Sequence, residues 1–210
     1  MSDSSANTAT IPRSHWRIAI VGRPNVGKSA IFNRLARRRI AIVHDQPGVT
    51  RDRIAAEIEI EGILVELTDT GGIGASLDDG FAQQVRMEAD IAIAASDLIL
   101  FVVDARTGIH PIDRDLASVL RKSGKDILLL VNKVDTEKTD PDTAEFVALG
   151  FRAQVNVSAE HGRNFSVLTS DIATHLSKKG AERGDGRQKK ASSRADSIKI
   201  AIVGRPNVGK

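Results

Sequence analysis

One stretch of eight residues constrains this chain more than any other: Gly22, Arg23, Pro24, Asn25, Val26, Gly27, Lys28 and Ser29. It follows an apolar run, Ile18 to Val21, and precedes a segment carrying Ile31, Phe32 and Leu35 at helical spacing. Two glycines with four residues between them, then Lys and Ser, form in that setting the pattern of a loop that wraps phosphate. Gly22 and Gly27 let backbone N–H groups curl around phosphate oxygens, and the helix N-terminus adds positive potential. Lys28 bridges β- and γ-phosphates, and Ser29 offers an oxygen to Mg²⁺.

Between Arg17 and Lys178 short apolar runs alternate with helix-length amphipathic stretches, the pattern of an open α/β sheet with mostly parallel strands. Strands are expected near 17–21, 54–60, 63–68, 97–103, 127–131 and 153–157, and helices near 28–38, 79–95, 111–123, 141–148 and 163–177. The 54–60 segment, IAAEIEI, alternates charged with apolar residues and reads as an edge strand with one wet face. LILFVV and ILLLV are apolar throughout, as central parallel strands covered on both faces should be. Asp140 before Pro141 reads as a helix cap followed by a first-turn proline.

Composition narrows the class. A hydrophobic fraction of 41% over 210 residues supplies a core, and 27% charged residues exclude a low-hydrophobicity disordered chain. Only 3% are aromatic and Tyr is absent, so aliphatic side chains must fill the core. The absence of Cys removes disulfides, zinc fingers, thiolate catalysis and iron–sulfur ligation. With 30 Lys+Arg against 27 Asp+Glu the formal charge is only +3, so any nucleic-acid contact has to be local. No stretch approaches the roughly 20 apolar residues of a membrane-spanning helix, and Met1 to Pro12 lacks a basic start followed by an apolar run. A cytoplasmic chain with no membrane partner is expected.

Two more motifs fall at strand ends. Asp69, Thr70, Gly71 and Gly72 close the IEGILVELT strand, where an acidic side chain reaches a Mg²⁺ held by Ser29. Taken alone, those residues would fit a simple Asp–Gly turn. Asn132, Lys133, Val134 and Asp135 follow ILLLV and select the base. A carboxylate at Asp135 accepts from guanine N1–H and the 2-amino group, and adenine offers neither donor in that geometry. Ser158 and Ala159, after the last strand, place backbone against guanine O6 from the far side. The expected ligand is GTP or GDP.

The run IAIVGRPNVGK at Ile18 to Lys28 returns letter for letter at Ile200 to Lys210. The expected organisation is a disordered leader over 1–15, a GTPase domain over 16–178, a basic flexible linker over 179–197, and the truncated strand and phosphate loop of a second GTPase domain over 198–210. The chain reads as a fragment of a longer tandem protein, with no nucleotide bound by the second copy.

These stretches in this order resemble the translation-factor-type GTPases. The GRPNVGKS wording, PGVTRD at 47–52, DTGG, VDAR at 103–106 and the tandem repeat together resemble the Der (EngA) family over residues 17–210. The resemblance implies a P-loop NTPase fold of the small-GTPase kind, three layers built on a mostly parallel six-stranded sheet. It implies a GTP-hydrolysing molecular switch in assembly of the large ribosomal subunit, contacting that subunit or its rRNA through the full-length protein, with no DNA partner. It implies that Thr50 completes Mg²⁺ coordination beside Ser29 and Asp69, and that Gly72 donates its N–H to the γ-phosphate, so Lys28, Thr50 and Gly72 form the catalytic set. Asn25 matches a loop asparagine that helps hold K⁺ against the phosphates in related potassium-stimulated GTPases. Ile73 stands where Ras-like enzymes carry a water-orienting Gln, so slow intrinsic turnover is expected. A guanine-nucleotide-dependent interaction module with negligible turnover, or another potassium-stimulated GTPase of the Era-like or tRNA-modifying kind, remains open as an alternative. Two departures from the family pattern are Asn164 in place of a usual glycine and a linker that is basic rather than acidic.

Other residues read as structural. His44, His110 and His161 stand apart from any second metal ligand and suit solvent-facing loops. Arg37, Arg38 and Arg39 suit a helix C-terminus. Asp78 and Asp79 suit a cap on the helix whose face carries Phe81, Val85, Ala89 and Ala92, and Trp16 suits a packing anchor.

Overall fold

The apolar runs LILFVVD and DILLLVN form adjacent parallel strands, β5 (Leu98–Asp104) and β6 (Asp126–Asn132), in register from Leu98↔Asp126 to Asp104↔Asn132. Every residue of β5 is buried, as a strand covered on both faces requires. In the computed structural model, which describes residues 16–37, 42–43, 54–70, 81–137 and 141–182, these two strands join a seven-stranded sheet. The others are β1 (Trp16–Val21), β2 (Ile42–Val43), β3 (Ile54–Ile60), β4 (Ile63–Asp69) and β7 (Gln154–Asn156). The order across the sheet is β2-β3-β4-β1-β5-β6-β7. β1 lies parallel to both β4 and β5, and β6 to β7, while β3 runs antiparallel to its neighbours β2 and β4.

The six expected strands are all present, and the two-residue β2 adds a seventh at the edge. That addition corrects the edge assignment of IAAEIEI: β3 is second from the edge, its Ala56 and Glu57 paired with Val43 and Ile42. Its one-sided alternation is real, with Ala56, Ile58 and Ile60 buried and Glu59 exposed. The β3–β4 hairpin turns on Glu61 and Gly62, at φ 49 and φ 82, the left-handed pair that a two-residue turn with the sheet's twist demands.

Alternate residues of the central strands feed two cores. Ile18, Ile20, Leu98, Leu100 and Val102 face one layer, where α1 (Lys28–Arg37) contributes Ile31, Phe32 and Leu35, and α4 (Phe165–Glu182) contributes Leu168, Ile172 and Leu176. Ala19, Val21, Ile99, Phe101 and Val103 face the other, with Val85, Ala89 and Ala92 of α2 (Phe81–Ala95) and Leu116, Ala117 and Leu120 of α3 (Pro111–Lys122). The three-layer α/β architecture expected from the alternation is thus in place.

Three details differ from the sequence reading. The segment Pro141–Leu149 is a 3-10 helix rather than an α-helix, and its buried positions Thr143, Phe146 and Leu149 recur every third residue, in line on the one face that a three-residue turn eclipses. α4 runs on to Glu182, past the expected start of the linker at 179. Lys179 holds it there, its Nζ 2.6 Å from Asp126 Oδ2 and 2.9 Å from the Asp97 carbonyl, while Gly180 packs against buried Trp16. His110 is exposed but not idle: its Nδ1 accepts from Ile112 N–H at 3.2 Å and caps α3. Asn164 adopts φ 60, which explains both the family's glycine and the tolerance of Asn at that place. Asp78, Asp79, Asp140, His44, Arg38, Arg39 and residues 183–210 lie outside the described residues.

Candidate functional site

Parallel strands put their carboxyl ends on one side of the sheet, and the chain order reverses beside β1, the position where open α/β sheets bind ligands. The 22–29 loop leaves β1 there, Asp69 ends β4, Asp104 ends β5, and Asn132 to Asp135 leave β6. Two close approaches fix the loop's glycines. A Cβ on Gly22 would sit 2.4 Å from the Val102 carbonyl, and one on Gly27, at φ 96, would sit 2.3 Å from Asn132 Nδ2.

The base-selecting segment is tied to the phosphate loop by its first two residues. Asn132 Nδ2 donates to the Val26 carbonyl at 2.8 Å, and Asn132 Oδ1 accepts from Ala159 N–H at 3.0 Å. Lys133 Nζ donates to the Asn25 carbonyl at 2.8 Å and to Asp104 Oδ2 at 2.6 Å. Asn25 holds φ 64 and Lys133 φ 68, so both ends of that contact use left-handed backbone. The Ala159 amide, expected near guanine O6, is engaged by Asn132 in this arrangement.

At the phosphate end, Lys28 Nζ folds back onto the carbonyls of Gly22 at 2.6 Å and Arg23 at 3.2 Å. Its burial lowers the pKa, while the charges of Glu88 and Asp69 act to raise it. Ser29 is exposed at the mouth and its hydroxyl donates to Asp69 Oδ2 at 2.7 Å. Thr70 is spent on architecture, its hydroxyl donating to the Ile20 carbonyl at 2.7 Å. A hydroxyl and a carboxylate side by side form a hard-oxygen pair that suits Mg²⁺. Among the described residues no group of three or more His, Cys, Asp or Glu side chains is placed to hold a metal, and the oxygens brought together here are those of Ser29 and Asp69. Mg²⁺ takes sites of that kind, drawing the rest from water and substrate phosphates. Thr50, Gly71, Gly72 and Ile73 lie outside the described residues.

At the base end, Asp135 Oδ1 accepts from Ser158 Oγ at 2.8 Å and Oδ2 from an Arg106 guanidinium nitrogen at 2.5 Å, with His161 Nε2 at 3.9 Å. The Arg106 contact, then Ser158, holds the Asp135 carboxyl below the usual carboxylate range.

Four contributors escaped the sequence reading. Asp104 and Arg106 were visible only as family wording. Aligning the ends of LILFVVD and DILLLVN, which pair residue for residue, would have set Asp104 beside Asn132. Asp113 is fully buried on α3, accepts from Arg23 Nε at 3.3 Å and from His110 N–H at 3.0 Å, and has its pKa raised by burial. Glu88 is 7% exposed on α2; burial pushes its carboxyl up to about 7, with Lys28 acting to lower it and Asp69 to raise it.

The Glu88 shift has a measurable sign. A carboxyl whose folded pKa lies above its unfolded value contributes its full stability below the unfolded pKa of 4.5 and loses it as pH rises through about 7. Unfolding free energy should fall by about 3 kcal/mol across that window from this group. Urea unfolding at about pH 5 and about pH 7.5 should show the fall in the parent and a flatter response in Glu88→Gln. Equal slopes in the two proteins would remove Glu88 from the account.

The profile of the family described as 50S ribosome-binding GTPase matches residues 17–133. The chain belongs to that GTPase family. Among its curated relatives are GTPase Der proteins: that of Akkermansia muciniphila is 56% identical over 196 residues, 92% of this chain and 42% of the relative. That of Caldicellulosiruptor saccharolyticus is 45% identical over 193 residues, again 92% of this chain and 42% of the relative. The chain therefore spans less than half the length of these relatives. Among solved structures, a variant of Aquifex aeolicus Era bound to GDP.AlF4- superposes with a TM-score of 0.60 at 28% identity, covering 75% of this chain and 56% of that one. Era in complex with MgGDPNP and nucleotides 1506–1542 of 16S ribosomal RNA gives 0.59 at 26% identity, covering 76% and 56%. GTPases of this family use Mg²⁺, which the Ser29–Asp69 oxygens suit. No helix among the described residues is long and apolar enough to cross a membrane.

Proposed function

We propose that this chain binds GTP and GDP with Mg²⁺, hydrolyses GTP slowly, and acts as a cytoplasmic molecular switch in assembly of the large ribosomal subunit. One observation carries the reading: the Asn132 and Lys133 side chains bond the backbone of the 22–29 loop, so the base-selecting and phosphate-binding segments are held as a single site. In that site Asp135 reads the base, and Lys28 turns from the Gly22 and Arg23 carbonyls toward the β- and γ-phosphates. Ser29 and Asp69 would hold Mg²⁺ with Thr50, and Mg²⁺ supplies positive charge against the phosphate oxygens. Gly72 donates its N–H to the γ-phosphate. The repeat at 200–210 marks the opening of a second domain of the same kind. The match of residues 17–133 to the family described as 50S ribosome-binding GTPase supports the large subunit as the partner of the longer protein.

K⁺ is proposed to sit beside Asn25, against charge that develops during hydrolysis. Asn25→Gly removes the side chain without straining a residue at φ 64, where Ala would cost about 1 kcal/mol. Single-turnover GTP hydrolysis in K⁺ should exceed that in Na⁺ for the parent, and the advantage should vanish in Asn25→Gly while GDP affinity holds. Retained stimulation in the variant would refute the cation role. Ile73, an aliphatic side chain unable to orient water, favours a second reading as a nucleotide-dependent interaction module. Absence of turnover in K⁺ and Na⁺ alike, with GTP bound, would select it.

A further inference from the structure

We propose that Arg106 is a positioning residue for guanine recognition, setting the Asp135 carboxylate so that one acceptor site on each oxygen faces the base; this rests on the guanine-nucleotide reading above. An ionised carboxylate has about four acceptor sites, two on each oxygen. Ser158 Oγ fills one on Oδ1 at 2.8 Å and Arg106 fills one on Oδ2 at 2.5 Å. One site on each oxygen remains, side by side, and guanine presents two adjacent donors, N1–H and the 2-amino group. Four donors then match four acceptor sites, and neither oxygen has spare capacity for a base docked out of register. Ser158 alone would leave Oδ2 unrestrained and the carboxylate free to turn about its Cβ–Cγ bond.

The arm that carries Arg106 is itself fixed. Asp104 Oδ1 accepts from Arg106 N–H at 2.9 Å, and Asp104 Oδ2 accepts from Lys133 Nζ at 2.6 Å. Asp104 thus ties the turn after β5 to the segment that carries Asp135. Ser158 is steadied likewise, its Oγ accepting from His161 N–H at 3.2 Å. The Arg106 side chain is 58% exposed against 23% for Asp135, so the contact braces the carboxylate from the solvent side and belongs to no core.

The test is nucleotide binding by the full chain, with GDP and with pyrophosphate as separate probes, in the parent, Arg106→Ala and Arg106→Lys. Exposed ion pairs are worth up to about 1 kcal/mol, so Arg106→Ala should bind GDP roughly two- to fivefold more weakly at low salt. Arg106→Lys should recover part of that loss by restoring the charge without the planar fork. Pyrophosphate affinity should be unchanged, because the Arg106 side chain bonds Asp135 and not the phosphate loop, and the nucleotide-free melting temperature should fall by no more than the few degrees that one exposed ion pair supplies. The difference between parent and Arg106→Ala should close in about 1 M salt, where such pairs are screened.

GDP affinity in Arg106→Ala equal to or above that of the parent would overturn the inference, since the guanidinium would then be idle or competing with the base. An equal loss for pyrophosphate would overturn it too, placing the effect at the phosphates. A parent that binds pyrophosphate but no guanine nucleotide would fail the functional reading itself and take the inference with it, a result distinct from one confined to the variant.

Discussion

Asp135→Asn should weaken GDP binding by roughly 30-fold to 10⁴-fold and raise affinity for XDP. Asp135 meets guanine as an acceptor on both oxygens, and the amide exchanges one acceptor for a donor. Each mismatched or orphaned group costs about 1–3 kcal/mol, and one substitution creates two such faults, the lost acceptor and an opposed donor. The surroundings decide which way the amide turns. Arg106 only donates, so the amide oxygen must stay on its side at the former Oδ2, while the Ser158 hydroxyl can rotate to accept from the amide nitrogen. The nitrogen is then aimed where guanine presents a donor and xanthine a carbonyl. Calorimetric titration with GDP and XDP checks it. Unchanged GDP affinity in the variant would mean that Asp135 does not read the base.

What could be read from the letters and what could not divides along one physical line. Gly22 and Gly27 were legible because their spacing records backbone requirements: the Val102 carbonyl and the Asn132 side chain lie where a Cβ would be. Asn132, Lys133 and Asp135 were legible for a similar reason, since a strand end carrying them admits few alternatives. The strand β5 announced itself through unbroken apolarity. By contrast, Asp113 and Arg23 are 90 residues apart in the chain, and Asp113 in PIDRDLASVLRK looks like any polar first-turn residue until α3 is packed. Glu88 is hidden in the same way within MEADIA, where nothing in the letters separates it from the exposed Asp90 two residues on. Long-range ion pairs leave no local pattern. Pro141–Leu149 left none either: Ala144, Val147 and Ala148 are as apolar in the letters as the buried Phe146 and Leu149, so the three-residue period shows only in the burial, and a helical length with a leading proline pointed to the commoner α-helix. Arg106 sits between these cases. Strand register sets Asp104 beside Asn132, yet only side-chain packing brings the guanidinium to Asp135.

Lys28→Ala should produce the other large effect, and it should divide between ligand and fold. Lys28 is 6% exposed, so its ammonium has surrendered most of its water and depends on the Gly22 and Arg23 carbonyls and on the nearby charges of Glu88 and Asp69. That burial lowers its pKa, which marks a cation held ready at a cost to the free protein. Phosphate oxygens are stronger partners than backbone carbonyls, and charge-assisted contacts to two of them are worth about 3–6 kcal/mol. GTP affinity should therefore fall by roughly 10²- to 10⁴-fold in Lys28→Ala. GDP should suffer less than GTP, since only the β-phosphate contact is lost. The substitution also leaves two carbonyls short of a donor and removes the cation that offsets Glu88, so the Glu88 carboxyl should titrate above its parent value of about 7 and the nucleotide-free chain should unfold at lower urea near neutral pH. Lys28→Arg should not restore binding, because a planar guanidinium does not fit a space shaped around one ammonium and two loop carbonyls. Equilibrium binding of GTP and GDP, read alongside urea unfolding without nucleotide, separates the two effects. A variant that keeps parental affinity for both nucleotides would place the phosphates away from Lys28 and overturn the assignment of the loop.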